Sequence, residues 1–151
     1  LGYVNVNFNN TGSFNVNPTN LIPLSQEKFE KIVDDAVAEV PKKFLDKLEN
    51  VAIVVQNFPN TDQLGKLGIK NNRKEKRPYL LLGLYQGVPQ TKRWGGGSIF
   101  PDKITIFKKP IEYLSNSEED VKRIVRDTVK HEIAHHFGFS EEDIRRSRRK
   151  Q

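Results

Sequence analysis

The chain has 151 residues, 36% of them hydrophobic and 29% charged, with a net charge of +6. This size and balance predict one soluble globular domain with room for a real core. The absence of cysteine excludes disulfides and thiolate metal sites, and no apolar run reaches the length of a membrane span.

The start lacks a basic stretch followed by an apolar core and a cleavage site, so a cytoplasmic location is expected. It begins with Leu and contains no Met. Residues 1–24 are rich in Asn. Val4, Val6, Phe8, Phe14 and Val16 alternate with polar neighbours, which suits a hairpin turning at Asn10-Thr11-Gly12 or a leader without structure of its own. Ser25 is placed to cap a helix. Phe29, Ile32, Val33, Ala36, Val37 and Val40 recur every three or four residues, and this single apolar stripe predicts a helix over 25–40. Pro41 ends that helix or opens a short second one.

Val51 to Val55 is a continuous β-branched run, as expected of a buried central strand. Residues 59–78 have little apolar periodicity and are expected to form an irregular loop. This includes the basic stretch 66–77, with Lys66, Lys70, Arg73, Lys74, Lys76 and Arg77. A second strand is expected over Tyr79 to Tyr85, with Gly83 marking a bulge or a close approach. Trp94-Gly-Gly-Gly-Ser98 reads as a hairpin tip. A third strand spans Lys103 to Lys108, with Ile104 and Ile106 on one face and Thr105 and Phe107 on the other, and Pro110 is expected to end its ladder.

Ser117-Glu-Glu-Asp120 starts a long helix with a cap and three acids in its first turn. All three histidines fall near its end, in His131-Glu-Ile-Ala-His135-His136-Phe-Gly138. Residues four apart share a helix face, so His131 and His135 present two imidazoles to one ion, with Glu132 beside them to take a proton from an activated water. On the same wheel Val125, Val129, Ile133 and His136 cluster in another direction, so His136 is expected to pack or hydrogen-bond inside the fold. Gly138 is expected to end the helix in a left-handed cap. Glu141 lies three residues later, where a third oxygen ligand can return to the ion. The tail from Arg145 to Lys150 is a charge run of the kind usually left in solvent, which makes nucleic acid the weaker partner reading.

These motifs together resemble the small, single-domain, zincin-like metallopeptidases found mainly in bacteria. The resemblance rests on the helix with Phe29, on Val51-Ala-Ile-Val-Val55, on Leu82-Gly-Leu-Tyr-Gln-Gly-Val-Pro89, on Pro101-Asp-Lys-Ile-Thr-Ile-Phe107 and on His131-Glu-Ile-Ala-His-His-Phe-Gly138. It covers 25–144, with the leader 1–24 and the basic tail 145–151 outside. It implies an α+β minimal zincin fold: a small mixed sheet, a backing helix over 25–40 and an active-site helix. It also implies a third metal ligand just after the glycine, carried here onto Glu141, with Glu142 or Asp143 as the alternatives in the acid run.

The expected activity is hydrolysis of peptide bonds. One Zn²⁺ would be held by His131, His135 and Glu141, with Glu132 as general base and an extended peptide or protein substrate on the edge of strand 103–108. Tyr85 is a candidate contact for the developing oxyanion, with burial as an aromatic the plainer reading. The protein is expected to be a monomer. The competing expectation is a metal-bearing, non-catalytic interaction module whose basic loop and tail bind an acidic partner or nucleic acid. A zincin scaffold with an empty site is a third, against which the intact Glu132 argues.

Overall fold

The computed structural model describes residues 23–68, 81–92 and 100–150. The expected hairpin in the leader, most of the basic stretch and the glycine-rich tip lie outside the described residues. Ser25 accepts a hydrogen bond from the Lys28 N–H and caps helix α1, Gln26–Ala38. Helix α2, Lys42–Leu45, follows Pro41. Strand β1 is Val51–Gln56 and helix α3 is Thr61–Lys66. Then come β2, Gly83–Gln86, and a 3-10 turn at Gln90–Lys92. Strand β3 is Asp102–Phe107, followed by helices α4 (Lys108–Leu114), α5 (Glu118–His136) and α6 (Glu141–Arg149).

The three described strands form a small mixed sheet in the order β1-β3-β2, with β1 parallel and β2 antiparallel to β3. The architecture is α+β. Two expectations about the sheet are corrected here. The β-branched strand β1 is at an edge and half-buried along its whole length rather than central. Conversely, β3 is the central strand, paired on both sides, and offers no edge to a peptide. A sequence run reports how apolar a strand's faces are, not who its neighbours will be.

Helix α5 lies on β2 and β3, and α1 packs against α5. Phe29, Ile32, Val33 and Ala36 of α1 meet Val121, Val125, Val129 and Ile133 of α5, with Ile104 and Ile106 of β3 in the same cluster. Apart from the small Ala36, each such side chain, once buried, contributes ~1.5–3 kcal/mol. Lys28 and Glu118 at 2.6 Å, together with Arg126 and Glu39, bridge the two helices at the surface. Exposed pairs like these add at most ~1 kcal/mol each. Packing therefore seats α5.

The other face of the sheet is covered by a smaller cluster of Leu67, Leu81, Leu84 and Phe107, with Leu64 against it. Leu64 belongs to α3, a helix where irregular loop was expected. Asn60 and Gln63 form a capping box at its start, and the Gln63 amide also donates to the Gln56 side chain at 3.1 Å. Local hydrogen bonding makes this helix despite its weak apolar pattern. Pro110 also differs from expectation. It lies in the first turn of α4, where a missing N–H leaves no helical bond unmade. The 144/145 domain boundary falls inside α6, so the basic tail is the continuation of a helix.

One buried ion pair fastens α4. Glu112 is 3% exposed and accepts from Lys108 Nζ at 2.9 Å, Lys109 Nζ at 3.1 Å and the Leu24 N–H at 3.0 Å. Burial raises its pKa, but these donors outweigh burial and hold it below its ordinary 4.5. Stability from a lowered acid is present above the ordinary value and lost as pH falls through the folded one. Glu112→Gln is therefore expected to lower unfolding free energy by about 2 kcal/mol at neutral pH. Urea titrations should show that deficit shrinking below about pH 4.5. A deficit independent of pH would mean that the carboxylate is not held ionised by its neighbours.

Candidate metal centre

Helix α5 begins at Ser117, whose hydroxyl accepts from the Asp120 N–H at 3.1 Å, with three acids in the first turn facing the positive helix end. Its residues sort by direction as their period requires. His136 is fully buried, and its Nδ1 lies 3.0 Å from Asp102 Oδ2. The Tyr85 hydroxyl donates to the same oxygen at 2.9 Å, and the Tyr85 and His136 rings meet edge to face. His136 thus packs and hydrogen-bonds inside the fold, as its place on the wheel predicts. Tyr85 is 3% exposed, with its hydroxyl on Asp102 and not among the His131, His135 and Glu141 atoms. Its expected role as an oxyanion contact is therefore corrected: the side chain belongs to the interior. Asp102 had no marker in the sequence, because its partners are distant in the chain.

His131 and His135 stand one turn apart on the opposite side, buried but facing the start of α6. Gly138 adopts φ +90° and ends α5, and a β-carbon there would lie 2.3 Å from Thr91 Oγ1. Only glycine meets both demands. The chain then reverses and Ser140 caps α6 by a capping box with Asp143. That box orients the first turn so that Glu141 returns to α5.

The resulting geometry is a triangle. Glu141 Oε1 lies 3.0 Å from His131 Nε2 and 2.9 Å from His135 Nε2, and the two Nε2 atoms are 3.0 Å apart. In a tetrahedral zinc site with bonds near 2.0 Å, ligand atoms lie about 3.3 Å apart, so this triangle fits the ion with little movement. The His135 Nδ1–H is held by the Phe139 carbonyl at 2.9 Å, which turns its Nε2 lone pair toward the triangle. Among the described residues this is the one group of three His, Cys, Asp or Glu side chains gathered so closely. Of the alternatives to Glu141, Asp143 is engaged in the cap and Glu142 pairs with Arg146. The spacing Ser140-Glu-Glu-Asp143 carried that assignment in the sequence, as a capping signal.

Glu132 lies between this triangle and the sheet. It is fully buried, and neither carboxylate oxygen has a well-formed hydrogen bond. Gly83 of β2 makes this possible. A β-carbon at that position would lie 2.6 Å from Thr128 Cγ2 and 3.1 Å from Glu132 Oε1. The close approach expected of Gly83 is thus an approach to Glu132. Burial drives the Glu132 pKa up to about 8, offset slightly by the nearby Tyr85 backbone N–H. Glu141 goes the other way. Burial alone would raise it, but its contacts with His131 and His135 hold it down at about 2. The site therefore combines an anionic oxygen among two imidazoles with a carboxyl poised to carry a proton.

A family model described as zincin-like metallopeptidase matches residues 48–150, well over half of the chain. That span includes β1, β3, the whole of α5 and the basic end of α6. No curated protein matches the sequence.

The raised Glu132 predicts a pH dependence for the metal-free protein. A folded pKa of about 8 against an ordinary 4.5 means that the folded chain keeps a proton the unfolded chain releases. Stability from this group is then fully present below the lower value and lost as pH rises to the higher. In chelator, the unfolding free energy of wild type relative to Glu132→Gln should fall by up to about 1.4 kcal/mol per pH unit between pH 5 and 8. Denaturant melts across that range that keep a constant difference would show a carboxylate ionised throughout.

Proposed function

The chain belongs to the zincin-like metallopeptidase family, and from that premise we propose that it hydrolyses peptide bonds using one Zn²⁺, with His131, His135 and Glu141 as ligands and Glu132 as general base. The observation that carries this reading is the triangle of donor atoms, each pair about 3 Å apart, beside a buried carboxyl group with no well-formed hydrogen bond. A structural zinc site is closed by four protein ligands, whereas a catalytic one leaves a position open. Three donors gather here among the described residues, which favours catalysis over a purely structural module.

Zinc held there would supply a Lewis acid and bring the pKa of a water toward about 7. The protein's own groups have separate tasks. His135 is fixed in one tautomer by the Phe139 carbonyl, so its Nε2 serves as a lone-pair donor. Glu141 contributes negative charge and closes the triangle from α6. Glu132 takes the proton of the attacking water at its carboxylate and delivers it to the departing amine nitrogen. Burial raises its proton affinity in the metal-free chain, and a cation held beside it would favour the ionised form that accepts the proton. The strand that borders α5 at Glu132 is β2, so an extended peptide entering the site aligns along β2 rather than along β3.

Metal content by plasma mass spectrometry, paired with peptide-library cleavage, tests this reading. Wild type and Glu132→Gln should both carry close to one zinc, while the variant loses turnover by ~10²-fold or more. His135→Ala should lose the zinc as well. Full activity in Glu132→Gln, or unchanged zinc in His135→Ala, would overturn the proposal.

A further inference from the structure

Helix α6 leaves the body of the domain after its first turn. Glu141 and Ile144 are half-buried, and every residue from Arg145 to Lys150 is exposed. At about 100° per residue, Arg145 projects about 40° to one side of Glu141 and Arg148 about 20° to the other. Both therefore stand on the face of α6 from which Glu141 reaches His131 and His135. Because side chains on a helix lean toward its N-terminus, both arginines also tip toward that end. Glu142 and Asp143 point away from this face, so they do not neutralise it.

Their place on the Glu141 face sets these two apart from the other arginines of α6. Arg123 pairs with Asp120, Arg126 with Glu39 and Arg146 with Glu142. No carboxylate pairs with Arg145 or Arg148 among the described residues. Guanidinium forks bind carboxylates in a bidentate fashion, and two exposed ones share the helical face of Glu141. A helix rise of 1.5 Å per residue puts Arg145 about 6 Å and Arg148 about 10 Å along α6 from Glu141. Helix α6 has no aromatic residue on which a nucleobase stacks, which favours a peptide over a nucleic acid.

We propose that Arg145 and Arg148, on the face of α6 that presents Glu141 to the histidine pair, are specificity residues that bind acidic side chains of the substrate. The substrate class is then acidic peptides, an assignment that rests on the peptidase reading above. Arg145 and Arg148 take no part in bond breaking.

The test uses the zinc-loaded, full-length Glu132→Gln protein and two fluorescent hexapeptides, one containing glutamates and the other with glutamines in their place. Anisotropy titrations should show the glutamate peptide binding at least ten-fold tighter at low salt. That advantage should vanish when Arg145→Ala and Arg148→Ala are added, and return in part with Arg145→Lys and Arg148→Lys. Equal binding of the two peptides, or an advantage untouched by the double change, overturns the proposal. So does tight binding of a single-stranded RNA oligonucleotide without any glutamate preference. Cleavage of the same peptides by the zinc-loaded wild type is scored separately. If none is cut, the peptidase reading fails, while the binding titration still decides whether the arginines select acidic chains.

Discussion

The buried contact between Asp102 and His136 sets the rotation of helix α5, and everything at the candidate centre depends on that rotation. Three imidazoles lie on one turn and a half of helix, and only their directions distinguish them. With His136 fully buried and fixed 3.0 Å from Asp102, at the start of the central strand, His131 and His135 are turned toward α6. The Tyr85 hydroxyl on the same carboxylate oxygen ties β2 into the arrangement. Hydrogen bonds to a charged group contribute ~1.5–3 kcal/mol each, and removing one partner from the interior costs more. A helix held by apolar packing alone has more freedom to roll.

Glu132 and Glu141 are chemically the same group in opposite surroundings. Glu132 is enclosed between helix and sheet with no donor well placed on it, and its proton affinity rises accordingly. Glu141 sits against two imidazole nitrogens at the cleft edge and stays an anion. The proposed division into base and ligand rests on these environments. It does not follow from residue type, and three consecutive positions from Glu141 carry acids.

Much of this was legible in the sequence wherever helical period decides the outcome. The stripe from Phe29 to Val40, the caps at Ser25 and Ser117, the paired faces of α5 and the left-handed Gly138 are all local or periodic signals, and the structure contains each of them. The order of the strands was not legible. Val51 to Val55 has the composition of a central strand and lies at an edge, while Asp102–Phe107 has polar residues at its start and lies in the middle. Helix α3 was hidden because Gly65 and a single internal leucine give it no stripe, and its only signal was the Asn60–Gln63 capping box. Burial of Tyr85 was the plainer reading, but its partner was not legible, because Asp102 is 17 residues away and is brought to it by the antiparallel pairing of β2 with β3.

The glycine at position 83 has an evolutionary consequence. The space its missing side chain leaves is filled by Thr128 and by the Glu132 carboxylate. A lineage that keeps the base has no room to change that glycine, whatever else drifts around it. Loss of Glu132 alone leaves the Thr128 methyl 2.6 Å from a β-carbon at 83, so a larger residue there needs a change at 128 as well. Substitutions at 83, 128 and 132 are therefore expected to travel together. A side chain at 83 would then mark a lineage in which the wall between β2 and α5 has been rebuilt.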